Sequence, residues 1–257
     1  QTSQCAQTTS AQMHDIDLRR MDCSLFERLH RHLLRHNCLN CLGHLDVQGR
    51  MHPDICALVN ADYYGDRLRP VPLAHQVGPL RFPHPPADSM QGALAAHRLL
   101  AIDVVPDQMP LSEKANPAEA HVIAAVVSAY LHLMQQPDVD MQHVARRVGI
   151  IVPFRAQTAA VRHALRSARV PCPDAITIDT VECYQGSQRD LIIFGTTIHS
   201  PHAVSLLSQP VMVEGTLVDR KLNVAITRAR RQFVLVGHRQ VLAGSPIYRK
   251  IWDVRFG

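Results

Sequence analysis

The apolar positions of this chain predict an alternation of helices and strands. Near the start, Met21, Leu25, Leu29 and Leu33 recur every fourth residue, which is the spacing of one face of a helix. Farther along, short apolar runs rich in β-branched residues predict buried strands at 100–105, 149–152, 175–180, 191–198 and 233–236. Helical segments are predicted between and after these strands, at 117–134, 157–167, 221–230 and 247–254.

Continuous apolar strands that alternate with helices indicate an α/β fold, with a parallel sheet covered by helices on both faces. Asn116 and Pro117 are typical of an N-cap and a first-turn proline, so they predict the start of the helix 117–134. The span 67–91 holds six prolines and little periodicity, which predicts a loop or an irregular insertion. Ligands bind at the carboxyl ends of the strands in such sheets, and this rule points to Pro153 and Thr180.

The composition is that of a folded chain. Of 257 residues, 46% are apolar and 19% are charged, which allows a packed core and disfavours wholesale disorder. We expect a flexible lead-in over residues 1–20 and one domain over 21–257. No run approaches about 18 consecutive apolar residues, and the polar N-terminus has no signal-peptide core, so membrane and secreted classes are disfavoured. Seven cysteines without a disulfide-like spacing fit a reducing compartment, and we expect a cytoplasmic protein.

Positive charge is concentrated at the C-terminal end of the chain. The whole chain carries 27 basic and 22 acidic residues, a net charge of +5. From Asp219 to Gly257 there are nine basic and two acidic residues, so this segment alone carries +7 and the remainder about −2. Such a segment suggests an anionic partner, either a nucleotide or nucleic acid. A solvated basic face is the alternative.

Three segments combine polar and charged residues in unusual patterns: QGRMHPDI at Gln48–Ile55, TIDTVECYQGSQRD at Thr177–Asp190 and RKLNVAITRARR at Arg220–Arg231. Taken singly, they have simpler interpretations as a loop before a helix, a turn, and a basic helix end. Two more segments accompany them, SLFERL at Ser24–Leu29 and GIIVPFRAQ at Gly149–Gln157. Together and in this order, the five resemble the second RecA-like domain of superfamily 1 helicases, in the branch that includes nonsense-mediated-decay and replication helicases.

The resemblance spans about residues 24–251 and implies a RecA-like fold that works with ATP and magnesium on single-stranded nucleic acid. Arg50 and Arg228 match the family's two phosphate-contacting arginines, so the resemblance implies that they act as arginine fingers. Arginine suits this role because its charge is permanent and its fork binds phosphate oxygens in a bidentate way. Apart from the resemblance, Arg50 has an alternative interpretation as part of a surface ion pair, and Arg228 as a cation at a helix end.

Two positions depart from the family's pattern on the nucleotide side. Gln188 stands where the family often has a glutamate that contacts the nucleotide, and an amide can hydrogen-bond a hydroxyl but brings no negative charge. Gly49 replaces an aromatic residue, which removes base stacking at that position. These departures bear on nucleotide specificity more than on phosphate contacts.

The resemblance implies nucleic-acid contacts in the segments 149–157 and 177–190. Hydroxyls, amides and backbone N–H groups suit phosphate contacts that do not depend on base sequence. Only 5% of residues are aromatic, which disfavours a stacking platform, and Phe154 and Tyr184 are better explained as core residues than as base platforms. The predicted contact residues are Pro153, Phe154, Gln157, Thr180 and Gln185.

Two motifs that an ATP-hydrolysing motor needs are missing from the sequence. No glycine is followed by lysine, so there is no phosphate loop, and no Asp-Glu dipeptide is present to hold magnesium. The resemblance therefore implies that ATP and magnesium are held mainly by an upstream RecA-like motor domain, and we expect no ATP turnover by the chain alone. The alternative from another class is a non-catalytic nucleic-acid-binding or scaffold module that retains the fold.

Cys38 and Cys41 form a C-x-x-C pair, with His44 three residues beyond, and these residue types can ligate zinc. No second C-x-x-C lies downstream, and 16 histidines make chance clustering easy. We therefore expect no metal site, and a zinc-dependent interaction domain is the third interpretation.

Overall fold

The computed structural model describes residues 25–106, 112–184, 186–208, 210–213 and 215–253. Contacts between residues divide the chain into two compact units, Gln1–Leu45 and Asp46–Gly257.

The first unit contains one helix, α1, in its described part, and this helix spans Leu25–Arg35. A 3-10 turn follows at Leu39–Cys41. The helix predicted from Met21 onwards is thus present from Leu25, while residues 21–24 and the lead-in 1–20 lie outside the described residues.

Strands and helices alternate along most of the second unit. The first half comprises β1 (Val47–Gln48), α2 (Pro53–Tyr64), β2 (Arg69–Pro70), α3 (Ala74–Val77), α4 (Ser89–Ala96), β3 (Leu99–Asp103), α5 (Pro117–Met134), α6 (Met141–Ala145) and β4 (Val148–Ile151). The second half comprises α7 (Arg155–Ser167), β5 (Thr177–Asp179), β6 (Arg189–Gly195), α8 (Val204–Leu207), β7 (Val211–Val213), β8 (Thr216–Val218), α9 (Arg220–Ile226), β9 (Ala229–Gly237), α10 (Arg239–Leu242) and α11 (Pro246–Asp253). Short 3-10 turns lie at Pro173–Ala175, Val181–Tyr184 and Pro201–Ala203.

Strands β3, β9, β6, β4 and β5 form one sheet, in that spatial order. Each neighbouring pair runs parallel, and Ile150 of β4 lies opposite Ile193 of β6 and Ile178 of β5. All five predicted strands therefore belong to one parallel sheet, which confirms the predicted fold class. Outside this sheet, β1 pairs with β2 in parallel and β7 pairs with β8 in antiparallel orientation.

Apolar side chains cover both faces of the sheet. Successive residues of a strand face opposite sides, and Ile150 and Ile151 of β4 accordingly belong to two different core clusters. The Ile150 cluster includes residues of α4, α5, α6 and α7. The Ile151 cluster includes residues of α2, α9, α10 and α11. Helices on both faces of a parallel sheet agree with the RecA-like architecture that the motifs implied.

Helix α5 begins where the sequence predicted. The side chain of Asn116 accepts a hydrogen bond from the backbone N–H of Glu119 at 3.1 Å, and Pro117 occupies the first turn. By length and composition alone this helix could cross a membrane, but 56% of it is buried inside the domain. Its contacts with α7 and the sheet account for its apolar composition.

The prediction of a helix at 221–230 is wrong for residues 227–230. Helix α9 ends at Ile226, and Ala229 and Arg230 open strand β9 instead. Alanine and arginine favour helices in isolation. Here Ala229 pairs with Arg189 of β6, so the contact with the sheet overrides the local preference.

The proline-rich span 67–91 is less irregular than its composition predicted. It contains β2 and α3, and α4 starts within it at Ser89. The prolines themselves lie outside these helices, because a proline inside a helix would remove a backbone hydrogen bond. Pro70 is tolerated in β2 because that strand is only two residues long and pairs on one side.

Candidate functional site

A tight turn before α2 positions Arg50. The side-chain carbonyl of Gln48 accepts hydrogen bonds from the backbone N–H groups of Arg50 at 2.8 Å and Met51 at 2.7 Å. His52 then caps α2, since its ring Nδ1 accepts the N–H of Asp54 at 3.2 Å. This local network fixes the backbone from which the Arg50 side chain extends.

The side chain of Arg50 contacts two of the other predicted motif segments. Its Nε donates a hydrogen bond to the side-chain oxygen of Gln188 at 3.2 Å, and its Nη1 donates to the carbonyl of Thr227 at 3.1 Å. Gln188 directly precedes β6, and Thr227 directly follows α9. Three segments that are far apart in sequence therefore meet at one place.

Arg228 lies in the turn between α9 and β9, next to this contact. Its Nε donates to the carbonyl of Val224 at 3.2 Å, and its Nη1 donates to the carbonyl of Ser187 at 3.4 Å. Burial lowers the pKa of Arg228, and the positive charge of Arg50 lowers it further. The two guanidinium groups are thus close enough to repel each other.

No carboxylate among the described residues forms an ion pair with Arg50 or Arg228. The ion-pair interpretation of Arg50 therefore has no support within the described chain. The interpretation of Arg228 as a cation at a helix end has partial support, because its side chain donates to the carbonyl of Val224, which lies in the last turn of α9. Gln188 contributes an amide where a glutamate would neutralise Arg50, so the cluster keeps two positive charges. Such a cluster suits a highly charged anion.

The cluster lies at the amino ends of β6 and β9. Gln188 and Arg228 each directly precede one of these strands, and the backbone N–H of Arg189 donates to the carbonyl of Arg228 at 3.0 Å. The rule that ligands bind at the carboxyl ends of strands therefore does not locate this group of residues. It locates Pro153 and Thr180, which follow β4 and β5 at the opposite edge.

At that carboxyl edge, the predicted nucleic-acid residues Pro153 and Phe154 are half-buried between β4 and α7. The side chain of Phe154 packs against the core on one face of the sheet. Thr180 is also half-buried, and its N–H donates to the side chain of Asp179 at 2.8 Å. Tyr184 is a core residue, 1% exposed. Gln185 lies outside the described residues.

Gln157 has a different position from the one predicted. It is fully buried, and its amide oxygen accepts the backbone N–H of Asn116 at 2.7 Å. Its amide nitrogen donates to the carbonyl of the same residue at 3.1 Å. Both polar atoms of the side chain are thus used to hold the start of α5. In this arrangement Gln157 does not reach nucleic acid, which corrects the contact predicted for it.

An ion pair that the motifs did not single out joins β6 to β9. Asp190, which is 9% exposed, lies 3.1 Å from Arg230 and 3.9 Å from Arg147. The sequence signal was present, because Asp190 ends TIDTVECYQGSQRD and Arg230 lies in TRARR. Their pairing could be found only once the two strands were known to be neighbours.

The cysteine pair of the first unit shows no metal geometry. Cys38 and Cys41 are free thiols, and each Sγ contacts a nearby oxygen of its own segment. Within the described residues, no three His, Cys, Asp or Glu side chains converge on a possible metal position.

Comparison with known proteins identifies the family of the chain. A family model described as an AAA domain matches residues 21–240. The chain belongs to this AAA domain family. The match covers the Arg50, Gln188 and Arg228 segments together with the whole five-stranded sheet.

The similar proteins include one that is a helicase by name. The chain is 26% identical over 233 residues to helicase sen1 of Schizosaccharomyces pombe, covering 90% of this chain and 12% of that protein. It is 26% identical over 240 residues to regulator of nonsense transcripts 1 of Dictyostelium discoideum, covering 89% of this chain and 15% of that protein. It is also 26% identical over 247 residues to the 3'-5' exoribonuclease HELZ2 of Mus musculus, covering 91% of this chain and 8% of that protein.

The chain thus spans between 8% and 15% of the length of these relatives. Together with the family match, they confirm the resemblance drawn from the motifs. The chain is a RecA-like domain of superfamily 1 helicases, in the branch of the nonsense-mediated-decay and replication helicases.

Proposed function

We propose that this chain is the C-terminal motor domain of an ATP-dependent DNA or RNA helicase, and that it completes the ATP site with Arg50 and Arg228. The observation that carries the proposal is the meeting of the segments of Arg50, Gln188 and Arg228. Arg50 donates hydrogen bonds to Gln188 at 3.2 Å and to the carbonyl of Thr227 at 3.1 Å, and Arg228 donates to the carbonyl of Ser187, the neighbour of Gln188, at 3.4 Å. Arg50 and Arg228, neither of which forms an ion pair with a carboxylate among the described residues, provide a positive charge suited to a triphosphate.

The chemistry that this arrangement supports is phosphoryl transfer to water. Negative charge on the γ-phosphoryl oxygens must be stabilised in the transition state, and a fixed guanidinium group does this without reorganisation. The carbonyls of Thr227 and Ser187 hold the two side chains in place. Magnesium, when bound with ATP, neutralises phosphate charge, and in this proposal an upstream RecA-like domain holds both. The residues of this chain then contribute the arginines and the amide of Gln188.

The proposed grip on single-stranded nucleic acid lies at the carboxyl edge, formed by Pro153, Phe154 and Thr180. Backbone N–H groups and a hydroxyl near the start of α7 suit contacts to phosphates that do not depend on base sequence. Gln185 belongs to the same proposal from the sequence, whereas Gln157 is left out because its amide holds Asn116.

The decisive experiment replaces Arg228 in a helicase that contains this domain together with a phosphate-loop domain. Arg228→Ala is expected to lower ATP turnover by at least about 100-fold, because arginine fingers contribute roughly 10³–10⁵ in rate. ATP affinity should change far less, since the arginine acts mainly in the transition state. Arg228→Lys should restore little activity, because a point charge does not reproduce the bidentate fork. Turnover and single-strand affinity are measured for each variant.

Arg162 is the matched control, since it is an exposed arginine in the middle of α7 and far in sequence from the motif residues. Arg162→Ala should turn over ATP at the normal rate. Near-normal turnover by Arg228→Ala would contradict the proposal and leave Arg228 as a helix-end cation. Such a result would favour the non-catalytic module that retains the fold.

A further inference from the structure

A second group of arginines surrounds an open cavity at the amino edge of the sheet. This cavity lies beside the group formed by Arg50, Gln188 and Arg228, which we call the Arg50 cluster. The cavity has a volume of about 550 Å³, within the range of small-ligand pockets. It opens where β4, β6 and β9 begin, and we call it the amino-edge cavity. Its charged and amide-bearing lining residues are Arg146, Arg147, Arg189, Arg230, Asp190 and Gln188.

The positive charge of this cavity is largely uncompensated. Asp190 supplies the one carboxylate of the lining, and it is shared between Arg230 at 3.1 Å and Arg147 at 3.9 Å. Four arginines against one aspartate leave a net charge of +3. His143 also lines the cavity.

Two of the four arginines have no carboxylate partner among the described residues. Arg146 is exposed at the end of α6. Arg189 donates its two Nη groups to neutral oxygens, the carbonyl of Gln188 at 2.7 Å and the hydroxyl of Thr177 at 2.8 Å. Its Nε is buried and has no hydrogen-bond partner. These bonds hold the Arg189 side chain in place and leave its charge unpaired.

We propose that the amino-edge cavity is a binding site for a phosphate-bearing anion, separate from the γ-phosphate contacts of Arg50 and Arg228. Guanidinium groups bind phosphate oxygens through paired, charge-assisted hydrogen bonds, and three net positive charges around a concave site attract a multiply charged anion. The cavity holds more than a single phosphate needs, so a diphosphate or a phosphodiester backbone fits its size. Both share the same phosphate chemistry.

Gln188 connects this site to the proposed ATP site. It lines the cavity, and its side-chain oxygen also accepts the hydrogen bond from Arg50 Nε at 3.2 Å. An anion in the cavity therefore binds close to Arg50, with the side chain of Gln188 between them. The proposal does not depend on the proposed function, because it rests on arginines outside the Arg50 and Arg228 pair.

The test measures binding of inorganic pyrophosphate to the full chain by calorimetry, at low ionic strength and without magnesium. We expect binding by the unchanged chain and by Arg228→Ala. The double variant Arg146→Gln and Arg189→Gln should bind at least about tenfold more weakly, since each of the two charge-assisted bonds lost contributes about threefold or more. Arg162→Gln removes one positive charge outside the cavity, as each of the two substitutions does inside it, and should bind normally. Thermal unfolding verifies that each variant is folded.

Arg189 also makes structural hydrogen bonds, so Arg146→Gln alone provides a second variant, whose exposed side chain has no such bonds among the described residues. It should weaken binding by at least about threefold.

Competition identifies the source of the phosphate. Displacement by a short single-stranded oligonucleotide supports a nucleic-acid backbone, and displacement by ATP alone supports a nucleotide. No binding by the unchanged chain, or equal binding by the cavity variants, would overturn the proposal, and loss of binding in Arg228→Ala alone would assign the anion to the Arg50 cluster.

Discussion

Glu119 is wholly buried where α5 meets the end of β6, and both of its carboxyl oxygens lie 2.8 Å from the backbone N–H of Thr197. Burial raises the pKa of Glu119 from 4.5 to about 8, against the opposing effect of these hydrogen bonds. At neutral pH the folded protein therefore holds this side chain mainly in its protonated form. The same group ionises in the unfolded chain.

This difference predicts that stability falls as pH rises. Above pH 4.5 the unfolded chain releases the Glu119 proton while the folded protein retains it up to about pH 8, so the unfolded state binds fewer protons across that window. The contribution of Glu119 is thus fully present below pH 4.5 and is lost towards pH 8. Denaturant unfolding at several pH values should show this slope, and Glu119→Gln should flatten it.

Glu182→Gln is the matched control, because this glutamate is exposed and the pKa of its carboxyl is lowered, so that it titrates below the same window. Burial alone would raise that pKa, but hydrogen bonds from its own backbone and from Lys221 outweigh it. If Glu119→Gln kept the wild-type slope, the buried carboxyl would not be its source.

At the level of single residues, the sequence motifs predicted part of the grouping of polar residues that the structure shows, but not the position of every side chain. Arg50, Gln188 and Arg228 were indicated by residue type and order, and the structure brings them together. Gln157 matched its motif equally well, yet it pairs with the backbone of Asn116. That difference depends on the packing of α7 against α5, which a local pattern does not contain.

Strand β4 illustrates how an element depends on the close approach of its neighbours. A Cβ atom at Gly149 would lie 2.6 Å from the hydroxyl of Tyr184, 2.8 Å from Ile192 Cδ1 and 2.9 Å from Arg189 Cγ. The Tyr184 hydroxyl is itself held by a 2.8 Å hydrogen bond to the carbonyl of Thr177 in β5. Glycine is therefore required at this position for close packing and not for its backbone angles.

Gly149→Ala is expected to lower the free energy of unfolding by about 1–3 kcal/mol, as overpacking in a core does. The added methyl group must displace the Tyr184 ring or separate β4 from its neighbours. Gly92→Ala is the control, because a Cβ atom there meets nothing within 4 Å and the residue lies in helix α4. It should be neutral or stabilising by up to about 1 kcal/mol. Equal stability of Gly149→Ala and the unchanged chain in denaturant would show that the sheet has room for a methyl group at this position, and would contradict the prediction.

The elements themselves could be predicted from apolar runs and caps, since buried parallel strands and the Asn116 cap leave strong local signals. The ends of the elements could not be predicted in the same way. The helix predicted at 221–230, for example, ends at Ile226. Whether Ala229 and Arg230 extend α9 or open β9 is decided by pairing with β6, and that partner lies about forty residues earlier in the sequence.

Across the whole second unit, the basic excess of residues 219–257 is divided between the two edges of the sheet. Arg228, Arg230 and Arg231 lie at the start of β9, on the amino edge, while Arg239 follows β9 on the carboxyl edge. A charge count along the sequence could not separate these groups. The carboxyl edge also has Arg155, which is exposed in the first turn of α7 beside Phe154. The proposed single-strand contact at this edge therefore involves fewer cations than the +7 total of residues 219–257 suggests.

We therefore predict weak, salt-sensitive and sequence-indifferent binding of single strands by the chain. If about three or four phosphates are neutralised, the slope of log affinity against log salt is about −2 to −3, and affinity falls roughly 20- to 50-fold between 50 and 200 mM salt. Fluorescence anisotropy with two oligonucleotides of different sequence measures both the slope and the preference. Arg155→Gln should lower affinity and make the slope shallower by about 0.7, because one phosphate contact is lost. Thr180→Ala removes a neutral contact, so affinity should fall at an unchanged slope. A salt-independent affinity, or a strong preference for one sequence, would contradict a grip through backbone phosphates.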